Sequence, residues 1–370
     1  MCASKPQGDT SVGTGTLSAA LSSAPRSDRQ DPRAADHLRR VGVGVSDRHV
    51  LLGDIGATNA RFAVLSGGFL GPIQHFSVSD FPRFTDAVAA FLERCSAPVQ
   101  AAAIAVAGPI EKNRCVLTNS SWIVDAAELA SEFGISRTLI RNDFEATAFA
   151  LPHLGQSDLH RVGAGEADTD APAVVLGPGT GLGVACLAPG NGGSPVVIAS
   201  EGGHATFPAS SRREDAILEH MRRAFGHVSA ERVISGPGLE NLYAAIVAVE
   251  GLAAPPRDAA AITSAALAGD CAAARDAVDT FCAMLGTFAG NMALTFGARG
   301  GVFIAGGIAP RILQLLTASE FRTRFESKGR FRPYLTAIPT SVIVHPAATF
   351  LGLQSILLTA SNRKAAVAAR

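Results

Sequence analysis

The sequence predicts an α/β protein of two lobes facing a cleft, and three observations carry that prediction. From His49 onward short β-rich runs alternate with helical stretches, the pattern of an α/β chain. At 370 residues the chain is long enough for two hydrophobic cores. A segment near the first strand, GDIGATNARFAVL (53–65), is answered by GPGTGLGVACL (177–187), each a strand, a glycine turn and a second strand.

The elements follow in order. Residues 1–47 are rich in Ser, Ala, Gly, Thr and Arg with almost no large apolar groups, so burial cannot offset their ordering entropy and a disordered extension is expected. It has no apolar h-region for a secretory signal, and Asp9, Asp28, Asp31 and Asp36 speak against a mitochondrial transit peptide. Strands are expected at VLLGD, RFAVL, AAIAVAG, LIRND, AVVLGPG, GVACLA, GVFIAGG and SVIVHP. Helices are expected near Phe84–Cys95, Asp125–Phe133, Phe144–Leu151, Glu214–Phe225, Pro237–Val249, Ala261–Ala268, Ala272–Phe296 and Ala309–Thr317. Thr280 to Ala298 is uncharged over nearly the length of a membrane span, yet its three glycines, Asn291 and missing aromatic anchors read as a buried core helix. In that helix Gly286 and Gly290 would let another element approach closely.

Charge and cysteine usage narrow the function. With 32 basic and 32 acidic residues the formal net charge is zero, so nothing draws the chain generally to nucleic acid or an anionic membrane. The only lysines are Lys5, Lys112, Lys328 and Lys364, none in a glycine loop, which excludes a Walker A motif. The six cysteines, Cys2, Cys95, Cys115, Cys186, Cys271 and Cys282, lack zinc-ligand spacing and read as reduced thiols of a cytoplasmic protein.

Six segments offer chemistry. In Gly53-Asp54-Ile55-Gly56-Ala57-Thr58-Asn59, a tight hairpin turns backbone N–H groups outward, Thr58 and Asn59 add side-chain hydrogen bonds, and Asp54 can hold magnesium directly or through water. Alone this could be an ordinary turn, but the second hairpin around Gly179, Thr180 and Gly181 makes two clasps on one triphosphate the better reading. VFIAGGIAPRIL runs a strand into Gly306 and Gly307, where a nucleoside could lie against the backbone, and then into a helix whose first turn carries Pro310. In TLIRNDFEATAFAL, Asn142 with Glu145 resembles a capping box, while a carboxylate at Asp143 would face the ligand side of an α/β sheet. Glu201 and His204 in EGGH, and Glu231 in the first turn of a helix, are each unremarkable alone.

Taken in order, GDIGATNAR, NDFEATA, GPGTGLGV, EGGH, AERVISGPGLENLY and GGVFIAGGIAPR resemble the bacterial-type glucokinases from about His49 to about Leu358. The resemblance implies the two-lobed actin-like ATPase (RNase H-like) fold, with a cleft between a small domain, 48–153 completed by about 346–365, and a large domain, 154–345. It implies phosphorylation of glucose at its 6-hydroxyl by MgATP, in a homodimer. By position Asp143 matches the catalytic base, and Asn142, Asp143, Glu201, His204 and Glu231 match sugar-binding residues. Ala57 stands where the family more often has glycine. The cysteine-rich zinc motif of the related repressor and kinase family is missing after His204, so no structural zinc is expected. A sugar-responsive regulator would need a helix-turn-helix, for which residues 1–47 have no periodicity, and Glu201 with Glu231 would repel a carboxylate substrate. Other hexoses stay open.

Overall fold

The computed structural model describes residues 49–95, 97–117, 120–190 and 195–368, with side chains to residue 359; the expected extension 1–47 lies outside them. The chain runs through β1 (Val50–Ile55), β2 (Asn59–Ser66), β3 (Phe69–Leu70), β4 (Gln74–Ser77), α1 (Phe84–Leu92), β5 (Ala101–Val106), β6 (Arg114–Val116), β7 (Ile123–Asp125), α2 (Ala126–Phe133), β8 (Arg137–Asn142) and α3 (Asp143–Ala150). It continues through β9 (Leu159–Gly163), β10 (Ala173–Pro178), β11 (Leu182–Ala188), β12 (Val196–Ser200), α4 (Arg212–Phe225), α5 (Ala230–Val233), α6 (Gly236–Glu250), α7 (Ala259–Ala268) and α8 (Ala272–Phe296). The last elements are β13 (Val302–Ile304), α9 (Leu313–Ala318), α10 (Phe321–Glu326), α11 (Arg332–Thr336), β14 (Thr340–Ile343) and α12 (Ala348–Ala368).

Two mixed sheets organise these elements. The first has the order β3-β2-β1-β5-β8 with β4 also on β2; the second has the order β12-β11-β10-β13-β14-β9. In the first, β1 is antiparallel to β2 and parallel to β5, which is parallel to β8. In the second, β10 is antiparallel to β11 and parallel to β13, which is parallel to β14. The echo between the two glycine hairpins therefore extends to their sheets, since each hairpin feeds a run of parallel strands.

Both faces of β1 are covered, which is why VLL reads as a continuous apolar run rather than an alternation. Leu51 and Ile55 join Phe62, Phe84, Phe91 and Trp122 on one face, while Val50 and Leu52 meet Phe350 and Leu353 of α12 on the other. The second sheet buries Val174, Leu176 and Val184 against α8, and Val175, Ala185 and Ile343 against Ala148 and Leu151. Since Ala146 packs with the first sheet and Ala148 with the second, α3 is wedged between them. A helix so placed needs small side chains at its buried positions, and Ala146, Thr147, Ala148 and Ala150 supply them.

The uncharged stretch is a core helix as expected: α8 is long and apolar enough to span a membrane, but its most apolar window is 78% buried in the protein. A Cβ at Gly286 would lie 2.1 Å from Phe321 O, and one at Gly290 would lie 2.5 Å from Phe325 O, so α10 is the element those glycines admit. One expectation needs correction. The helix after Gly306-Gly307 starts at Leu313, not Ala309, so Pro310 sits in a preceding turn. There Ile308 O accepts from both Arg311 N and Ile312 N, and Ile312 at φ −103°, ψ 20° separates this turn from α9.

Candidate functional site

Parallel pairing of β1, β5 and β8 aligns Ile55, Val106 and Asn142 in one row, so Asp54 and Asp143 end up at the same edge of the sheet about two strand spacings apart, roughly 10 Å. Chain direction reverses from strand to helix at Asn142, whose Oδ1 accepts from Phe144 N at 2.9 Å and Glu145 N at 3.2 Å. The cap expected of Asn142 is present, while the Glu145 carboxylate pairs with Arg141 at 3.1 Å. Asn142 also donates from Nδ2 to Gly108 O at 3.4 Å, which ties the end of β8 to the loop after β5.

Asp143 opens α3, with Oδ1 accepting from Phe144 N at 2.9 Å. Burial pushes its carboxyl up to about 7; the negative charges of Asp54 and Glu201 act the same way, against the backbone N–H groups of Phe144 and Asp143 itself. An acid poised near neutrality can exchange a proton at working pH, the condition for a general base. The next residue places it: a Cβ at Gly183 would lie 1.8 Å from Phe144 Cδ2, so the Phe144 ring lies against the second hairpin.

The first hairpin pairs Asp54 with Arg61 and Ile55 with Ala60, and Gly56 N donates to Asn59 O at 2.9 Å to close the turn. Gly53 and Ile55 are buried, Gly53 beneath Ile104 and Phe62, so only their backbone can face a ligand; Thr58 and Asn59 are at the exposed tip with Ala57 beside them. Asp54 is not free. Arg61 binds its Oδ2 through both Nε, at 2.9 Å, and Nη2, and reaches Pro346 O from Nη1 at 2.9 Å. Sequence reasoning passed over Arg61, although centring the hairpin on its glycine turn would have set it opposite Asp54.

The second hairpin turn, Gly179-Thr180-Gly181, is closed by Gly179 N donating to Gly181 O at 2.8 Å. Gly306, at φ 82°, and Gly307 follow β13 beside it, and Ile308 N donates to Pro178 O at 3.4 Å. Glu231 lies in the first turn of α5 as expected, capped by Ser229, and its Oε2 accepts from Leu182 N at 2.9 Å. His204 approaches Glu201 at 3.8 Å through Nε2 and Glu231 at 3.9 Å through Nδ1. The structure thus gathers the predicted residues into two neighbourhoods, Asp54 with Asp143 and Glu201, and Glu201 with His204 and Glu231, joined through Glu201. The five described cysteines are all unpaired, and among the described residues no three His, Cys, Asp or Glu side chains cluster to hold a metal.

This mixed α/β fold is shared with a ROK family glucokinase from Streptomyces griseus, solved with glucose and AMPPNP, at a TM-score of 0.57 and 19% identity, over 83% of this chain and 98% of that one. A nearer likeness is the crystal structure of glucokinase from an Antarctic psychrotroph, at a TM-score of 0.74 and 36% identity over 84% of this chain and 99% of that one. The glucokinase of Paramagnetospirillum magneticum is 45% identical over 317 residues, 85% of this chain and 98% of the relative. The family model described as glucokinase matches residues 51–360, and the chain belongs to that family.

Proposed function

We propose that this chain is an ATP-dependent glucokinase that transfers the γ-phosphoryl group of MgATP to the 6-hydroxyl of glucose, with Asp143 as general base. One observation carries the assignment: a carboxyl held near neutrality at the start of α3, packed through Phe144 against a glycine hairpin and flanked by Asp54 and Glu201. Phosphoryl transfer through a loose, in-line transition state asks for positioning and charge neutralisation. Asp143 takes the proton of the 6-hydroxyl as that oxygen attacks the γ-phosphorus, and the bond to the bridging oxygen breaks to release ADP. Asn142, Glu201, His204 and Glu231 hold the sugar, their carboxylates accepting from ring hydroxyls. The turns at Gly53–Asn59 and Gly179–Gly181 hold the phosphates, with Gly306 and Gly307 beneath the nucleoside.

The donor set suits magnesium that arrives with the nucleotide, since Mg²⁺ takes one or two carboxylates and fills its octahedron with phosphate oxygens and water. Asp54 is the residue that would hold it, and Arg61 keeps that carboxylate oriented. When bound, magnesium supplies neutralisation of the triphosphate charge.

The same reading gives the chain the two-lobed actin-like fold, with a small domain of 48–153 completed by 346–365 and a large domain of 154–345. Packing of Phe350 and Leu353 with Val50 and Leu52 supports that division. It also makes the protein a cytoplasmic homodimer without a nucleic-acid or membrane partner, in line with its zero net charge. A coupled assay of glucose 6-phosphate formation across several hexoses tests the function, and light scattering tests the dimer. No product from glucose with MgATP would overturn the assignment.

A further inference from the structure

In the reading above Glu231 serves the sugar and Gly179–Gly181 serve the nucleotide, as separate duties. The carboxylate of Glu231 does not respect that division. Its Oε2 accepts from Leu182 N at 2.9 Å, the amide that follows the nucleotide turn, while its Oε1 lies 3.9 Å from His204 Nδ1 on the sugar side. Contact at the turn is close: a Cβ on Gly181 would lie 2.5 Å from Glu231 Oε2, and apart from its chain neighbours it would meet Glu231 alone within 4 Å. The backbone repeats the link a few residues on, where Gly236 N donates to Gly179 O at 2.8 Å. Ser235 stiffens the connection, since its Oγ donates to Glu231 O at 2.8 Å and accepts from Gly238 N at 2.9 Å.

We propose that Glu231 is a positioning residue that couples the two substrates, so that glucose bound on its outer oxygen orders the nucleotide hairpin through Leu182 N. The proposal rests on the kinase reading of this site. A carboxylate on a side chain with three rotatable bonds keeps one orientation only if both oxygens are engaged. Sugar hydroxyls donating to Oε1 would fix that orientation and with it the acceptor of Leu182 N. The second ligand then meets a turn that is already ordered and binds without repeating that entropic cost. Linkage requires the converse too: nucleotide must tighten sugar by the same factor.

Calorimetric titration of the full chain with ADP, with and without saturating glucose, tests the idea. In the parent chain glucose should tighten ADP by a factor in the usual range of coupling, roughly 5- to 150-fold. That factor should fall towards one in Glu231→Gln, which loses the charge, and in Gly181→Ala, whose methyl group pushes Oε2 off Leu182 N. The factor is the informative readout. Loss of a sugar ligand alone weakens glucose equally with and without ADP and leaves the factor unchanged. A parent-like factor in both variants, or a factor of one in the parent chain, overturns the coupling while leaving the kinase reading intact. Failure of the parent chain to bind either ligand would instead remove the kinase reading on which the coupling rests. Melting curves of both variants, taken alongside, identify a chain that has not folded, and each variant tests the link from its own side.

Discussion

Replacing Asp143 by Asn should cost activity and add stability, and both effects follow from the same burial. The amide keeps the size of the side chain and an oxygen to accept from Phe144 N, now at 2.9 Å, but it cannot take a proton. Loss of a general base typically costs 10²- to 10⁴-fold, so kcat should fall by about 10²-fold or more with a much smaller change in sugar affinity. For stability the sign follows from protons bound. The folded chain holds the Asp143 proton up to about 7, against an ordinary value of 3.8, so it binds more protons than the unfolded chain in that window and stability falls as pH rises through it. At about 1.4 kcal/mol per pH unit, ionised Asp143 costs the fold at most about 4 kcal/mol above neutrality and nothing near pH 4. The Asn variant should therefore melt several degrees higher than the parent at about pH 8, with the gain vanishing towards about pH 4. Parent kcat/KM should rise with pH through a step near 7, and in the variant this step should be lost. Coupled-assay pH profiles and differential scanning calorimetry on ligand-free protein check the two halves. Normal turnover in the variant, or a melting change independent of pH, would refute the reasoning.

The other predictions concern the parts around that acid. Gly183→Ala places a methyl group 1.8 Å from Phe144 Cδ2, so the ring next to Asp143 must move. Overpacking of this kind costs about 1–3 kcal/mol, and kcat should drop more than KM rises, as steady-state kinetics and chemical denaturation will report. Chelation of magnesium should abolish glucose 6-phosphate formation and added magnesium should restore it; full turnover in excess chelator would remove Asp54 from its assigned role. Removal of residues 1–47 should leave melting temperature and specific activity close to those of the full chain, because that segment has almost no large apolar groups to bury.

Features set by neighbours in the sequence were legible there. The hairpins could be read because a glycine turn between apolar runs permits little else, and Asn142 could be read as a cap because its acceptor has to serve amides two and three residues on. The long helix Ala272–Phe296 matches its expected bounds, since no proline interrupts it and Gly297 follows its last residue as a C-cap. Short strands escaped: β3, β4, β6, β7, β9 and β12 have five residues or fewer, and their state is set by the strands beside them. Helix α12, although 21 residues long, escaped as well because its apolar residues mark no single face. The link between distant segments could not be seen at all. Only the fold brings Glu231 to Leu182, 49 positions away, and Arg61 to Pro346, 285 positions away. The raised pKa of Asp143 belongs to the tertiary structure as well. Its residue type and place at a strand's end are in the sequence, but the low dielectric that raises it exists only once α3 is wedged between two sheets, with Asp54 and Glu201 brought near.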